Sequence, residues 1–385
     1  MKVAILYDCM FPYTVGGGER WYVNVAERLS EEHEVTYVTL KQWDADHTPD
    51  VPFRVVTVAP GMELYTEDGR RRIGPPLRYG FGVFKYLLRH GGEYDIVHSS
   101  AFPYFSVIGA KAALVFHRRT KLVVDWLEVW SLDYWKGYLG GIGGRVGFAI
   151  QQFCARLPDY SFAISKLHAD RLPGRDVTVN TGLVGEMVDA RRPDKPAPAP
   201  DPPRAVFAGR HIPEKNVVAL PAAIAHARES LPGLTLTVFG DGPERERLIA
   251  EIERAGLADV IDAPGFVDAD VVHEALRTAS CMVLPSIREG YGLVVIEAVA
   301  QGTPSVVVAG PDNAAAEFID EGVNGFVAAS ASPQALGDAI VRAVHGGDEL
   351  RESSFDWYDE HNELLSIDDS IVKIKAAYAE LVPNG

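Results

Sequence analysis

A chain of 385 residues, 47% of them hydrophobic and 10% aromatic, is too long for one ordinary core and too apolar for long disordered spans, so two globular domains of ~150–200 residues each are expected. The net charge of −16 is lopsided: residues 1–190 hold 21 Lys+Arg against 22 Asp+Glu, and residues 191–385 hold 16 against 31. This balance excludes a broad nucleic-acid surface, no 18-residue apolar run suits a membrane span, and three scattered cysteines, Cys9, Cys154 and Cys281, give no disulfide framework.

The N-terminal MKVAILYDCM is short and soon acidic, so it reads as a first strand rather than a signal peptide, and with unpaired cysteines it points to the cytoplasm. A loop ending in Gly16-Gly17-Gly18-Glu19 follows, and Tyr22, Val25, Ala26 and Leu29 then repeat at helical spacing. Strand, glycine loop and helix form the unit of nucleotide-binding α/β folds. The dinucleotide fingerprint G-x-G-x-x-G/A is absent, however, which argues against an oxidoreductase.

Further strands are expected at Glu34–Leu40, Phe53–Ala59, Asp95–His98, Leu122–Trp126, Ser161–Ile164 and Val177–Asn180, with helices near 76–90, 103–116, 140–157 and 165–172. This alternation argues a parallel sheet covered on both faces, whose ligands sit beyond the carboxyl ends of its strands. Arg70–Arg89 mixes cations with aromatic residues, a pattern suited to weak peripheral contact with an anionic membrane, to an anionic acceptor, or equally to a solvated loop followed by a half-buried helix; the expected location is the cytoplasm, with the inner face of the membrane as the place such a contact would give.

RRPDKPAPAPDPP, residues 191–203, reads as a stiff linker between domains at 1–190 and 204–362. The α/β alternation restarts beyond it, with strands at Arg204–Gly209, Leu234–Gly240, Val260–Asp262, Cys281–Leu284 and Ser305–Ala309. Helices are expected near 215–230, 243–256, 268–280, 293–302, 312–321 and 333–346. Residues 347–362 read as a polar loop, and 363–385 as a closing helix that crosses back to the first domain.

The chemistry concentrates in PSIREGYGLVVIEAVAQGTP, Pro285 to Pro304. Glu289 stands in a turn where Gly290 and Gly292 let backbone amides face a ligand, and Glu297 lies eight positions on, in the helix that the turn opens. Helix amides suit a phosphate and carboxylates suit sugar or ribose hydroxyls. Arg210 and Lys215 in RHIPEK are placed to bridge a diphosphate. The triplets Asp44-Ala45-Asp46 and Asp268-Ala269-Asp270 read as a polar loop and a helix N-cap, not as metal ligands.

Together the GGGE loop, AGRHIPEKN, FGDGPERERL, PGFV, the E-x7-E of REGYGLVVIEAVAQGTPSVV and EFIDEGVNGFV resemble the retaining glycosyltransferases of family 4, and do so over nearly the whole chain. The resemblance implies the GT-B fold, two Rossmann-like α/β domains with parallel sheets facing across a cleft. It implies a metal-independent transfer from a nucleoside diphosphate sugar to an acceptor hydroxyl, with no further cofactor. Glu297 would bind the ribose and Glu289 the donor sugar. Arg210, Lys215, the amides of Gly290, Tyr291, Gly292 and Leu293, and the Gly16–Gly18 loop would hold the diphosphate.

Similar sequences carry a histidine where this chain has Leu127, so Asp125, Glu128 or His98 is expected to take over that role, or the donor phosphate itself to act as base. Trp126, Trp130 and Trp135 are candidate acceptor or packing surfaces for a small natural product, a lipid-linked sugar or a saccharide. A nucleotide-sugar 2-epimerase and a sugar-nucleotide-binding protein with weak catalysis are the alternative readings of the same residues.

Overall fold

The computed structural model describes residues 1–14, 16–43, 49–63, 72, 74–173, 177–183, 188 and 191–383, so the Asp44-Ala45-Asp46 triplet and Arg70 and Arg71 lie outside the described residues. The chain divides into two compact units, Met1–Leu183 joined by Ile367–Gly385, and Val184–Ser366. The domain boundary therefore falls ahead of the proline-rich stretch.

In the first unit the strands are β1 (Lys2–Leu6), β2 (Glu34–Lys41), β3 (Arg54–Pro60), β4 (Ile96–Ser100), β5 (Lys121–Trp126), β6 (Tyr160–Ala163) and β7 (Thr178–Val179). The helices between them are α1 (Gly17–Ser30), α2 (Gly74–His90), α3 (Tyr104–Leu114), α4 (Leu132–Cys154) and α5 (Lys166–Asp170). The second unit holds β8 (Arg204–Ala208), β9 (Thr235–Phe239), β10 (Ile261–Gly265), β11 (Cys281–Leu284), β12 (Arg288–Glu289), β13 (Ser305–Val308), β14 (Asp312–Asn313) and β15 (Gly325–Ala328). Its helices are α6 (Leu220–Ser230), α7 (Arg245–Arg254), α8 (Ala269–Arg277), α9 (Leu293–Ala300), α10 (Pro333–His345) and α11 (Gly347–Leu365), and α12 (Ile367–Leu381) then rejoins the first unit.

Both main sheets are parallel. The first runs β3-β2-β1-β4-β5-β6-β7 and the second β10-β9-β8-β11-β13-β15. In each, strand order reverses beside the first strand, between β1 and β4 or between β8 and β11, and a crevice opens beyond the carboxyl ends at such a point. The expected pair of Rossmann-like α/β domains is what forms.

Alternation along β1 shows why both faces of the first sheet are covered. Val3 and Ile5 pack with Trp21, Tyr22 and Leu29 of α1 and with Ile371, Ile374 and Tyr378 of α12. Ala4 and Leu6 point the other way, into Tyr79 and Val83 of α2 and Val107 and Ala110 of α3. A two-residue repeat sends neighbours to opposite faces, so a strand that is apolar throughout demands helices on both.

Several elements differ from the sequence reading. The stretch at 347–362 is helical: Leu350, Arg351, Ser354, Phe355, Trp357 and Tyr358 are buried at helical spacing among acidic residues that mask the stripe. Helix α4 starts at Leu132, eight residues early, because Gly140 (φ 77°) joins two helical segments across a kink. The segment expected to be helical from 215 opens as two short 3-10 turns, Pro213–Lys215 and Val217–Ala219. Nor does the proline-rich segment swing freely. Arg192 stacks its guanidinium 3.6 Å from the Phe355 ring centroid and pairs with Asp359, and the Arg351 Nε donates to the Ala197 carbonyl at 2.6 Å.

Candidate functional site

In the second unit, the turn after β8 and the turn after β11 are brought together at the switch point. The Ile287 N–H donates to the Glu214 carbonyl at 2.9 Å, and Asn216 Nδ2 donates to the Pro285 carbonyl at 3.3 Å. Asn216 holds φ 50°, a left-handed conformation that asparagine tolerates better than most side chains. That turn aims Lys215 at Glu289, and the Lys215 Nζ donates to Glu289 Oε1. Ser286 Oγ donates to the same oxygen at 2.7 Å.

Glu289 is buried, at 7% exposure, so the ammonium and the hydroxyl replace the water its charge would otherwise need. Its short strand β12 pairs with β14, where Asn313 Nδ2 donates to the carbonyls of Ser286 (3.0 Å) and Val308 (2.8 Å), fixing the turn from behind. Sequence reasoning treated Lys215 and Glu289 as separate ligand groups; the fold makes them one ion pair. Ser286 and Asn313 went unnoticed, since a serine and an asparagine near turns are ordinary residues until their partners are known.

Gly292 opens α9 at φ 95°, and a Cβ there would meet the Ala315 Cβ at 2.7 Å. Helix geometry leaves the N–H groups of Leu293 and Val294 without intrahelical partners, next to Glu289 in the chain. Tyr291 is buried against Phe318, ring centroids 4.5 Å apart, and serves packing. Glu297 sits one turn into the helix and is half-buried.

Arg210 is exposed and borders a cavity of about 280 Å³ that is also lined by Ala208, Gly209, Gly240, Asp241, Phe266 and Val272. The cavity lies beyond the carboxyl ends of β8, β9 and β10. Phe266, also in the lining, is 85% exposed and so leaves a ring face open at the cavity. PGFV carried a signal for this residue, but nothing in the sequence told an exposed phenylalanine from a core one. His211, next to Arg210, is buried; burial first, then the Arg245 charge, holds its imidazole below the ordinary range and hence neutral at pH 7.

In the first unit, Gly16 caps α1, and a Cβ on Gly18 would lie 2.4 Å from the Tyr7 hydroxyl and 3.6 Å from a Leu127 methyl. The glycine loop and Leu127, distant in sequence, thus share one corner at the ends of β1 and β5. His98 and Asp125, expected to take over the role of a histidine at Leu127, lie inside the core. His98 is fully buried, with Nε2 on Asp125 Oδ1 at 2.8 Å and Nδ1 on the Tyr378 hydroxyl at 2.6 Å, while Asp125 Oδ2 accepts from Trp21 Nε1 at 3.2 Å. Both ring nitrogens and both carboxylate oxygens are thus hydrogen-bonded inside the core. Burial and then the Asp125 charge push the neighbouring Tyr22 phenol well above its usual range.

This network ties β4 and β5 to α1 and α12. Tyr378→Phe would strand a buried imidazole nitrogen and is expected to cost about 1–3 kcal/mol of stability in urea unfolding, with nucleotide affinity unchanged.

Glu128 is half-buried and accepts from Trp130 Nε1 at 2.6 Å. Trp126 and Trp135 are buried and pack rather than stack on a ligand. Gln151 Oε1 accepts from the Trp135 ring, the Trp130 amide and the Tyr104 hydroxyl, which locks the tryptophan-rich turn onto α4.

A family model for glycosyl transferases group 1 matches residues 189–354, and one for glycosyltransferase family 4 matches residues 15–178. A curated relative, the UDP-N-acetylglucosamine–peptide N-acetylglucosaminyltransferase GtfA subunit of Streptococcus gordonii, is 27% identical over 225 residues. The match covers 56% of this chain and 40% of that protein, so the chain spans about two fifths of the relative's length.

Two solved structures resemble the chain along its length. A sucrose-phosphate synthase from Thermosynechococcus elongatus has a TM-score of 0.78 at 17% identity and covers 100% of both chains. An Anabaena HepE determined in complex with UDP has a TM-score of 0.72 at 18% identity, with 99% of this chain and 100% of that one covered. At such identities the likeness speaks for the fold.

Proposed function

We propose, starting from a chain whose residues 189–354 match glycosyl transferases group 1 and whose residues 15–178 match glycosyltransferase family 4, that it moves a sugar from a nucleoside diphosphate sugar to an acceptor hydroxyl with retention at the anomeric carbon. The observation that carries this reading is the buried Glu289 held by Lys215 and Ser286 at the mouth of α9, beside the Arg210 turn. A carboxylate that already has two donors keeps lone pairs for sugar hydroxyls, and its orientation is set before any substrate arrives.

In this reading the base enters the cavity against Phe266, and the ribose hydroxyls reach Glu297. The diphosphate lies between Arg210, Lys215 and the first amides of α9. Charge building on the departing phosphate meets two cations and a helix N-terminus, which supply the electrostatic stabilisation that such a transfer needs. The fold shared with the HepE determined with UDP supports a uridine nucleotide as the first donor to try. With His98 and Asp125 confined to the core, the reading places the transfer on the donor phosphate as base, with Glu128, half-buried on Trp130 Nε1, as the remaining candidate carboxylate.

Thermal-shift screening of nucleoside diphosphates and their sugars tests donor binding directly. A ligand at 100 times its dissociation constant adds about 2.7 kcal/mol of stability, and a flat response to every nucleotide would remove the reading. Glu297→Ala is expected to weaken nucleotide binding by about 10- to 150-fold in calorimetry, the worth of one charged hydrogen bond. Proton NMR of the transfer product then reports the anomeric configuration, and an inverted product would sink retention.

A further inference from the structure

We infer that the outer faces of α2, α3 and α4 form a docking surface for an anionic lipid bilayer. The crossovers β3 to β4, β4 to β5 and β5 to β6 all advance in the same direction across the sheet, and right-handed crossovers put their helices on one face. The shared core of these helices confirms the layer. Their inner stripes are satisfied by that core, whereas their outer stripes are apolar where solvent-facing helices are normally polar.

Phe81 on α2 is 62% exposed, Phe116 just past α3 is 71% exposed, and Ile142 on α4 is 81% exposed. Leu77 and Leu88 flank Phe81 on the same side of α2, and Val146 and Phe153 continue the side of α4 that Ile142 begins. Residues three, four, seven and eleven apart line up along one helix face, so α2 and α4 each present a continuous strip, to which Phe116 just past α3 adds.

Charge identifies the partner. Across α2, α3 and α4 the only acidic residue is Asp133, against six Arg and Lys, in a chain whose net charge is −16. Arg78, Lys85 and Arg89 border the strip on α2, Arg118 follows Phe116, and Arg145 and Arg156 border the strip on α4; all are exposed. Lys111 and Lys136 pair with Asp159 and Asp133, whereas none of Arg78, Lys85, Arg89, Arg118, Arg145 and Arg156 forms an ion pair with a described residue.

Exposed apolar side chains among unneutralised cations are what an interfacial surface requires: rings and branched chains enter the head-group boundary while guanidinium and ammonium groups meet anionic lipid. A second copy docking through the same face would set cations against cations. Among the described residues no helix is long and apolar enough to cross a membrane, so this contact is peripheral. It widens the Arg70–Arg89 expectation from one segment to three helices, and it stands independently of donor binding.

The test is co-sedimentation of the full chain with vesicles of phosphatidylcholine alone and of phosphatidylcholine mixed equally with phosphatidylglycerol. Binding is expected to the mixed vesicles and not to the neutral ones, and it should weaken as salt is raised. Combined Arg78→Ser, Arg89→Ser and Arg145→Ser substitutions are expected to weaken it by about 100-fold, since each basic residue near such a surface contributes about fivefold. Phe81→Ser with Ile142→Ser is expected to reduce it by at least about tenfold.

All five positions are exposed, so an unchanged urea midpoint and unchanged UDP response in both variants will show that fold and donor site are intact. Absence of binding to anionic vesicles, equal binding to neutral ones, or full binding by both variants would overturn the inference. So would retention on heparin without vesicle binding, which would point to a soluble polyanion instead.

Discussion

Glu289→Gln is expected to lower kcat/KM for sugar transfer by about 100-fold with little change in the unfolding midpoint. The substitution keeps the shape but removes the charge that restrains Lys215 and that, in the proposed function, meets the donor sugar, and a charged hydrogen bond is worth about 1.5–3 kcal/mol. Glu289→Ala has a second consequence. It leaves the Lys215 ammonium, 21% exposed, and the buried Ser286 hydroxyl without their acceptor, so stability should fall by about 3 kcal/mol.

Lys215→Met combined with Glu289→Ala should recover part of that stability while activity stays lost, because an apolar pair leaves no charge stranded. Steady-state kinetics and urea melts on the three variants separate the two effects. An unchanged kcat/KM in Glu289→Gln would take Glu289 out of the transfer.

Gly240→Ala should destabilise the second unit by about 2–6 kcal/mol and weaken nucleotide binding at least about tenfold. Gly240 ends β9 at φ 117°, a conformation that side chains rarely adopt, and a Cβ there would fall 1.9 Å from the Gly209 carbonyl oxygen. Backbone strain contributes about 1–3 kcal/mol and overpacking a further 1–3, with no rotamer available to relieve a clash against main chain. Three strand ends are knitted at this place: the Gly209 N–H donates to the Phe239 carbonyl at 3.2 Å and the Gly240 N–H to the Gly265 carbonyl at 2.8 Å. Displacing Gly209 moves Arg210 and the wall of the cavity with it. Urea unfolding reads the first effect and calorimetry with UDP the second; a wild-type midpoint would show that the turn relaxes freely.

The two carboxylates Glu289 and Glu297 and the cations Arg210 and Lys215 could be singled out from the chain because helix starts, glycine turns and strand ends leave local marks. Their roles toward a donor remain proposals, and the geometry bears on them unevenly. It joins Lys215 to Glu289 across 74 positions, brings Leu127 beside the Gly18 loop, and encloses His98 and Asp125 in the core with Tyr378, a residue 280 positions from His98. Pairings over such separations have no signature in local pattern: a histidine at a strand end reads alike whether its nitrogens face a substrate or a tyrosine.

The sequence by itself determined the two α/β units, because Val/Ile-rich runs alternating with amphipathic helices can bury their apolar faces only as covered parallel sheets. It also marked the turn at Glu289, where glycines and a helix start must coincide. The tertiary structure alone decided which side chains neutralise one another, which aromatic residues stay uncovered, and that three separate helices pool their cations on one face. Each of these depends on how elements far apart in the chain pack together, and burial and Coulomb interactions follow distance in space, not distance along the backbone.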